Sequence, residues 1–137
     1  MRLEDKVAII TGGANGMGAE EARMFAREGA KVVVADMRNE EGEAVVTQIA
    51  ESGGTSVYVH TDVTSESDRQ RLVDQTVSQF GKLNILVNNA GISSTAYADP
   101  MDIDGWNRIM DVNATGVYLG TRAAIPAMKE TGGGSIV

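Results

Sequence analysis

Residues 7–18 read VAIITGGANGMG, an apolar run followed at once by a glycine-rich loop. The β-branched run Val7–Ile10 predicts a buried strand, and helical spacing follows the loop. Glycines there allow a sharp turn and a close approach of the backbone to a pyrophosphate. The next helix offers such an anion its free N–H groups and the positive end of its dipole. The strict pattern GxGxxG is not met because position 21 is Glu21, and a plain strand-to-helix turn is the alternative interpretation.

The alternation of short apolar runs with longer amphipathic segments continues along the chain. Strands that are apolar throughout are buried on both faces of a sheet, and helices between them imply right-handed βαβ crossovers. The predicted fold is therefore α/β, a doubly wound, Rossmann-like parallel sheet of about five strands with helices on both faces. The later strands are predicted at residues 31–36, 57–59, 85–87 and 135–137.

The helices between these strands carry their own start and stop signals. Asn39 is predicted to cap the second helix, and Ser65 with Asp68 resembles a capping box at the start of the third. Gly81 is predicted to end that third helix. A long helix is predicted from Asp104 to Glu130, where three glycines in succession break it.

The predicted fifth strand begins two residues before the last residue, Val137. A doubly wound fold usually has about six strands in two halves. We therefore expect residues 1–137 to form a single dinucleotide-binding domain of Rossmann type that is truncated within its fifth strand.

Charge and composition argue against several classes of function. The formal net charge is −7, and an acidic surface repels a phosphate backbone, so no nucleic-acid partner is expected. The chain has no cysteine and one histidine, His60, so neither a disulfide nor a metal site is expected. The charged N-terminus lacks a signal peptide's apolar stretch, and no apolar run approaches the roughly 18 residues that span a bilayer. A cytoplasmic protein without a membrane partner is expected.

A carboxylate stands at the end of the second predicted strand. Asp36 follows the glycine loop by about 20 residues, the separation at which a dinucleotide-binding fold places its ribose-binding acid. A carboxylate there can accept hydrogen bonds from both ribose hydroxyls and would repel a 2′-phosphate. The residues thus favour NAD over NADP, although Arg38 could partly neutralise such a phosphate. A solvated aspartate at a strand end is the plain alternative.

Motifs that are weak one by one occur in a fixed order along the chain. They are TGxxxGxG from Thr11, then Asp36, Asp62-Val63, Asn88-Asn89-Ala90-Gly91 and Asn113. This series resembles that of the short-chain dehydrogenases/reductases, from about Val7 to Val137. The glycine spacing is similar to that of the compact oxidoreductase branch. The extended branch of nucleotide-sugar epimerases typically shows TGxxGxxG instead.

The resemblance implies a role for each matching position. The glycine loop would line the pyrophosphate and the adenosine ribose, and the end of the second strand would hold that ribose. The pair after the third strand would contact the adenine, and the loop after the fourth would pass behind the ribose and nicotinamide. Asn88 would mainly tie neighbouring strands together. The implied cofactor-binding residues, in order, are Gly12, Asn15, Gly16, Met17, Gly18, Asp36, Met37, Asp62, Val63, Asn89, Ala90 and Gly91.

Asn113 is the catalytic residue that the resemblance implies within the chain. Asparagine is unfavourable inside a helix because its side chain competes for backbone hydrogen bonds. In the family this Asn belongs to a tetrad with Ser, Tyr and Lys, where it shapes the helix so that a water completes a proton relay to the Lys. The other three members are expected beyond Val137. Tyr118 and Arg122 have the spacing of the family's Tyr-x-x-x-Lys, but they share a helix with Asn113 and are rejected.

The resemblance implies an NAD-dependent oxidoreductase that interconverts a secondary alcohol and a ketone by hydride transfer. The 137 residues alone are expected to be inactive, and a non-catalytic nucleotide-binding protein is the alternative. The expected partner is a small-molecule alcohol or ketone; hydroxysteroids, acyl-carrier thioesters, sugars and cyclic alcohols stay open. Residues 92–100 would form part of the substrate rim. The complete protein is expected to be a homo-oligomer, a tetramer or a dimer, joined through the long helix.

Overall fold

The computed structural model describes residues 1–93 and 99–137, which form one parallel sheet with helices on both faces. The strands are β1 (Val7–Thr11), β2 (Lys31–Asp36), β3 (Thr55–His60), β4 (Ile85–Val87) and β5 (Ser135–Ile136). The helices are α1 (Gly16–Arg27), α2 (Asn39–Glu51), α3 (Glu66–Phe80), α4 (Ile103–Met110) and α5 (Gly116–Glu130). The predicted α/β fold with a Rossmann-like parallel sheet is confirmed.

The side chains of the central strand divide the core between the two faces of the sheet. All of β1 is buried, and its successive residues point to opposite sides. Ile9 packs with buried residues of α3 and α5, Leu72 among them. Ile10 packs instead with Ala22 of α1 and Val45 of α2. A run of β-branched residues with no polar alternation is thus what a strand covered on both faces requires.

The strand order is β3-β2-β1-β4-β5. The chain runs outward from β1 to β3 with α1 and α2 on one face, and α3 then returns it to the other side of β1. The winding therefore reverses between β1 and β4. In sheets of this type a crevice opens at the carboxyl ends of the strands where the winding reverses.

The hydrogen bonds at the starts of α2 and α3 differ in part from those that the sequence predicts. Ser65 does cap α3, accepting a hydrogen bond from Asp68 N at 3.2 Å, and Gly81 ends the helix with a φ of +80°. The Asp68 side chain does not complete the capping box but binds the loop before the helix. Asn39 does not cap α2, because the helix already begins there and the Asn39 amide oxygen is held by side chains of β3.

The long helix predicted from about Asp104 to Glu130 is found, but its hydrogen-bonding pattern changes in the middle, which the sequence did not predict. The segment consists of α4, a π-helical turn at Asp111–Thr115 and α5. Asn113 lies in the middle of the turn, and its amide makes two hydrogen bonds to the backbone of Ile92 outside the helix. π-turns inside α-helices are frequent at functional sites.

Candidate functional site

A cleft of about 570 Å³ opens where the winding of the sheet reverses. Its walls are the segments after β1, β2, β3 and β4, joined by two side chains from the helical segment that contains the π-turn. The predicted cofactor-binding residues all line this cleft, except Gly18. Ile92, the first residue of the predicted substrate rim, lines the cleft as well, whereas sequence reasoning did not single out the further lining residues Ala35, Thr61, Arg108 and Val112.

The glycine loop is held against the loop that follows β4. Gly12 has a φ of +65°, and a Cβ there would lie 2.9 Å from the Cα of Ala90. Gly18 lies beneath the loop, where a Cβ would meet the carbonyl oxygen of Gly12 and the amide of Asn89. Gly18 therefore allows close packing but does not face the cleft.

The start of α1 faces the open side of the cleft. Gly16 has a φ of +54°, and a Cβ there would meet nothing within 4 Å. Asn15 precedes the helix in an extended conformation, and its side chain makes no capping hydrogen bond. The first N–H groups of α1 and the positive end of its dipole are therefore available to an anion in the cleft.

The Asp36 carboxylate is fixed by backbone groups at the end of β2. Its Oδ2 accepts a hydrogen bond from Ala14 N at 3.1 Å, and its Oδ1 accepts one from Arg38 N at 3.0 Å. Each carboxylate oxygen has further lone pairs, so both can still accept a hydrogen bond from a ligand. The carboxylate is thus oriented before any ligand arrives.

Tyr58 of β3 supports the backbone of the same residue. Its hydroxyl donates to the carbonyl oxygen of Asp36 at 2.6 Å and also lies 2.9 Å from the Asn39 amide oxygen. Its ring occupies the space that a side chain at Gly42 would need. Burial, together with the negative charges of Asp36 and Glu43, raises the pKa of Tyr58 to about 12.

The segment after β3 is tied down by its own side chains. Asp62 Oδ1 accepts hydrogen bonds from the backbone N–H of Thr64 at 2.9 Å and from its hydroxyl at 2.7 Å. Val63 packs on Gly116 at the start of α5, where a Cβ would lie 3.1 Å from Val63 Cγ2. This wall of the cleft is therefore coupled to the helix that follows the π-turn.

Thr11 joins the two loops that meet at the reversal of the sheet. Its hydroxyl donates to Val87 O at 3.2 Å and accepts from Ala90 N at 3.1 Å. The amide of Asn89 donates to Thr11 O at 2.9 Å and reaches Gly12 O at 3.3 Å. The sequence motif includes Thr11 but gave it no role. The available signal for such a role was a residue with a hydroxyl group at the buried end of a central strand.

Asn113 does not line the cleft, although its neighbour Val112 does. Its Oδ1 accepts from Ile92 N at 2.9 Å, and its Nδ2 donates to Ile92 O at 2.8 Å. The π-turn and the loop after β4 are thereby locked together. Ile92 opens the predicted substrate rim, of which residues 94–98 lie outside the described residues.

Charged side chains of both signs line the cleft, with Asp36 and Asp62 facing the same space as Arg38 and Arg108. In the described part of the chain no group of three acidic or histidine side chains could hold a metal ion. None of the described helices combines the length and apolarity needed to cross a bilayer. Hydrogen-bond acceptors, cations and backbone N–H groups suit a ligand that carries both hydroxyls and phosphates.

Comparison with known proteins gives one consistent result. The family model described as "short chain dehydrogenase" matches residues 6–137. The 3-alpha-(or 20-beta)-hydroxysteroid dehydrogenase of Mycobacterium tuberculosis is 48% identical over 136 residues, which is 99% of this chain and 51% of that protein. A 2,5-dichloro-2,5-cyclohexadiene-1,4-diol dehydrogenase of Sphingobium indicum is 43% identical, and the cyclopentanol dehydrogenase of Comamonas testosteroni is 40% identical; each match covers 99% of this chain and 54% of the relative. The chain spans about half the length of the curated relatives it matches.

Proposed function

The chain belongs to the short-chain dehydrogenase family, and on that premise we propose that it supplies the cofactor site of an NAD-dependent oxidoreductase. The reaction is the interconversion of a secondary alcohol and a ketone by hydride transfer. The observation that carries the proposal is the cleft itself. It combines an open helix start at Gly16 with a carboxylate, Asp36, that backbone N–H groups already orient.

The residues present fit a nicotinamide dinucleotide. The space above Gly16 leaves room for phosphate oxygens beside the first N–H groups of α1. Asp36 has the acceptor capacity for two ribose hydroxyls. The chemistry that such a cofactor supplies when bound is the donation or acceptance of a hydride. The residues that would hold it are Gly12, Asn15, Gly16, Met17, Asp36, Met37, Asp62, Val63, Asn89, Ala90 and Gly91, with Gly18 packed beneath them.

The contribution of the described residues is to position the groups around the cleft. Thr11 and Asn89 hold the floor of the cleft through backbone hydrogen bonds. Asn113 fixes the π-turn against Ile92, so the shape of the helix beside the cleft depends on one amide. We assign Asn113 the role of shaping the catalytic helix, as the family resemblance implies.

We propose that the substrate is an alicyclic secondary alcohol or the matching ketone. The names of the similar proteins describe dehydrogenases of a 3-alpha- or 20-beta-hydroxysteroid, a chlorinated cyclohexadienediol and cyclopentanol. Each of these substrates contains an alicyclic ring system, and the hydroxyl lies on a ring in all of them except the 20-beta-hydroxysteroid, where it lies on the side chain. This support comes from the relatives, not from a contact in the cleft.

The preference for NAD over NADP is proposed from Asp36. Its carboxylate would repel a 2′-phosphate. Hydrogen bonds from two backbone N–H groups hold the carboxylate in its present orientation. Replacing one charge-assisted hydrogen-bonding carboxylate by a neutral amide typically changes affinity about ten- to a hundredfold. Asp36→Asn should therefore lower the NAD over NADP selectivity of kcat/KM by about that factor.

The test is a steady-state assay of the full-length protein. NADH or NADPH formation is followed by absorbance with cyclopentanol, cyclohexanol and a hydroxysteroid as substrates. Asp74→Asn is the matched control, because Asp74 lies on the exposed side of α3 and binds Gln70. An about ten- to hundredfold lower NAD over NADP selectivity of kcat/KM in Asp36→Asn, with an unchanged selectivity in the control, supports the proposal. Equal use of both cofactors by the unmodified protein would overturn the NAD preference, and binding without turnover would leave a nucleotide-binding protein.

We also propose that the complete protein is a homo-oligomer that buries the apolar face of α4 and α5. Ile103, Trp106 and Met110 follow one another at helical spacing on α4 and are all exposed. Tyr118 and Ile125 on α5 are exposed as well. A patch of large apolar side chains on a helix face is typical of a protein–protein contact.

A further inference from the structure

One long charged side chain is buried away from the cleft. Arg69 of α3 is 2% exposed, although arginine is seldom buried unless it is paired. Within the described residues it forms no ion pair with a carboxylate. Burial lowers the pKa of Arg69 to about 10, which reflects the cost of keeping a cation there.

The guanidinium lies in a slot between two helices and the end of β4. Its Nη2 donates to the amide oxygen of Asn88 at 2.8 Å. On the other side it fills the space that any side chain at Gly120 of α5 would occupy. Its Nε and Nη1, and Nδ2 of Asn88, have no hydrogen-bond partner among the described residues. The contact with Asn88 is thus the one polar interaction that this buried cation makes in the described structure.

Asn88 is the first residue of the loop that lines the cleft. Its backbone N–H donates to Val137 O at 2.8 Å, and the next two residues bind Thr11. A displacement of Asn88 would therefore shift Asn89 and Ala90 relative to the glycine loop, against which they pack without spare room.

We propose that Arg69 is a positioning residue for the cofactor site, which holds Asn88 and thereby the loop Asn88–Gly91 from behind. The proposal rests on the proposed function, because cofactor affinity is its readout. The alternative is that Arg69 only fills space between α3 and α5. These roles differ in consequence, since an apolar side chain of similar length fills such a slot without the desolvation cost of a cation.

The decisive variant is Arg69→Met in the full-length protein. We expect the melting temperature to stay within a few degrees of the unmodified protein or to rise, because the buried charge is removed. We expect the Kd for NADH, measured by fluorescence titration, to increase about tenfold, because the loop loses its support. Arg69→Lys keeps a donor and a charge and should restore part of the affinity. Arg122→Met is the matched control, since Arg122 is exposed and binds Glu66.

A second variant approaches the same contact from the other helix. Gly120→Ala keeps the arginine at position 69, but the added Cβ would overlap its guanidinium and should displace it from Asn88. The Kd for NADH should therefore rise as in Arg69→Met. In the Arg69→Met background the further change Gly120→Ala should add less than twofold, because the two changes remove one interaction.

The outcomes separate this inference from the proposed function. If the unmodified protein fails to bind NADH, the proposed function is wrong. If it binds NADH and Arg69→Met or Gly120→Ala binds it equally well, Arg69 only fills space and the inference is overturned. Independent, multiplying effects of the two changes on the Kd would also overturn it.

Discussion

At the scale of single residues, the site is built from side chains whose partners are backbone groups. Asp36 is held by two peptide N–H groups, Asn89 by two carbonyl oxygens and Asn113 by both polar groups of Ile92. Backbone N–H and C=O groups are strong hydrogen-bonding partners, and nearly every residue supplies both whatever its side chain. Positions fixed in this way keep their geometry when neighbouring side chains change. Tyr58 adds a side-chain contact to this set, because its hydroxyl donates a hydrogen bond to the carbonyl oxygen of Asp36.

Tyr58 leads to a prediction about pH. Burial first, and then the charges of Asp36, Glu43 and Glu41, raise the pKa of Tyr58 from its ordinary value of 10.0 to about 12. A group whose pKa is higher in the folded than in the unfolded state stabilises the fold fully below its unfolded pKa, and the contribution is lost as pH rises through the folded value. The free energy of unfolding of the unmodified protein should therefore fall more steeply between pH 10 and 12 than that of Tyr58→Phe.

Tyrosinate absorbance can follow the same ionisation directly. The unmodified protein minus Tyr58→Phe should give a difference titration with its midpoint near pH 12. Tyr118→Phe, an exposed position on α5, is the control. A difference curve for Tyr58 centred near pH 10, the ordinary tyrosine value, would contradict the prediction.

At the scale of elements, the π-turn separates what sequence patterns predict from what they miss. Apolar periodicity predicts helix throughout the segment from Asp104 to Glu130, and helix is found there. The apolar periodicity gives no sign of the change from α-helical to π-helical hydrogen bonding. At that change the Asn113 amide binds the backbone of Ile92, which lies 21 residues away in the sequence. An asparagine inside a helix was the available hint. The structure gives the reason, since its amide is used by a loop outside the helix.

Asn113→Ala tests this coupling. It removes two exposed hydrogen bonds to Ile92, so the free energy of unfolding should fall by about 1–2 kcal/mol. Exchange of the Ile92 amide hydrogen should become faster, and turnover by the full-length protein should fall because the π-turn loses its anchor. Asn107→Ala on the exposed surface of α4 is the control and should change neither the exchange nor the turnover. Unchanged Ile92 exchange in Asn113→Ala would show that the amide is not the anchor.

At the scale of the whole molecule, the parallel sheet and the position of the cleft could be predicted because they depend on repeated, local signals. β-branched runs mark the strands, and Asp36 stands where a strand ends. The support behind the site could not be predicted. Arg69 of α3 meets Asn88 across 19 residues, because the helix packs beside the end of β4. Tyr58 meets Asp36 across 22 residues, because β3 pairs with β2. No local pattern records such a pairing.

The proposed assembly is a prediction at this scale. Trp106→Glu places a charge in the exposed apolar face of α4 and should convert the full-length oligomer into smaller species, as measured by light scattering after gel filtration. Gln75→Glu adds the same charge at an exposed position of α3 and should leave the mass unchanged. An unmodified protein that is already a monomer, or a Trp106→Glu variant of unchanged oligomeric mass, would refute the proposed interface.

The placement of β4 beside β1 has a consequence for the nascent chain during synthesis. Val7 is bound by Asn84 and Thr11 by Asn89, across separations of 77 and 78 residues. As the polypeptide leaves the ribosome, β1, β2 and β3 can pair early because they are close in sequence, whereas the partner on the other side of β1 is made later. One edge of β1 therefore lacks its hydrogen-bonding strand during that interval. On the proposed function, a nucleotide could bind only after the segment to Gly91 has emerged. It could then stabilise the last steps of folding but not the earliest ones.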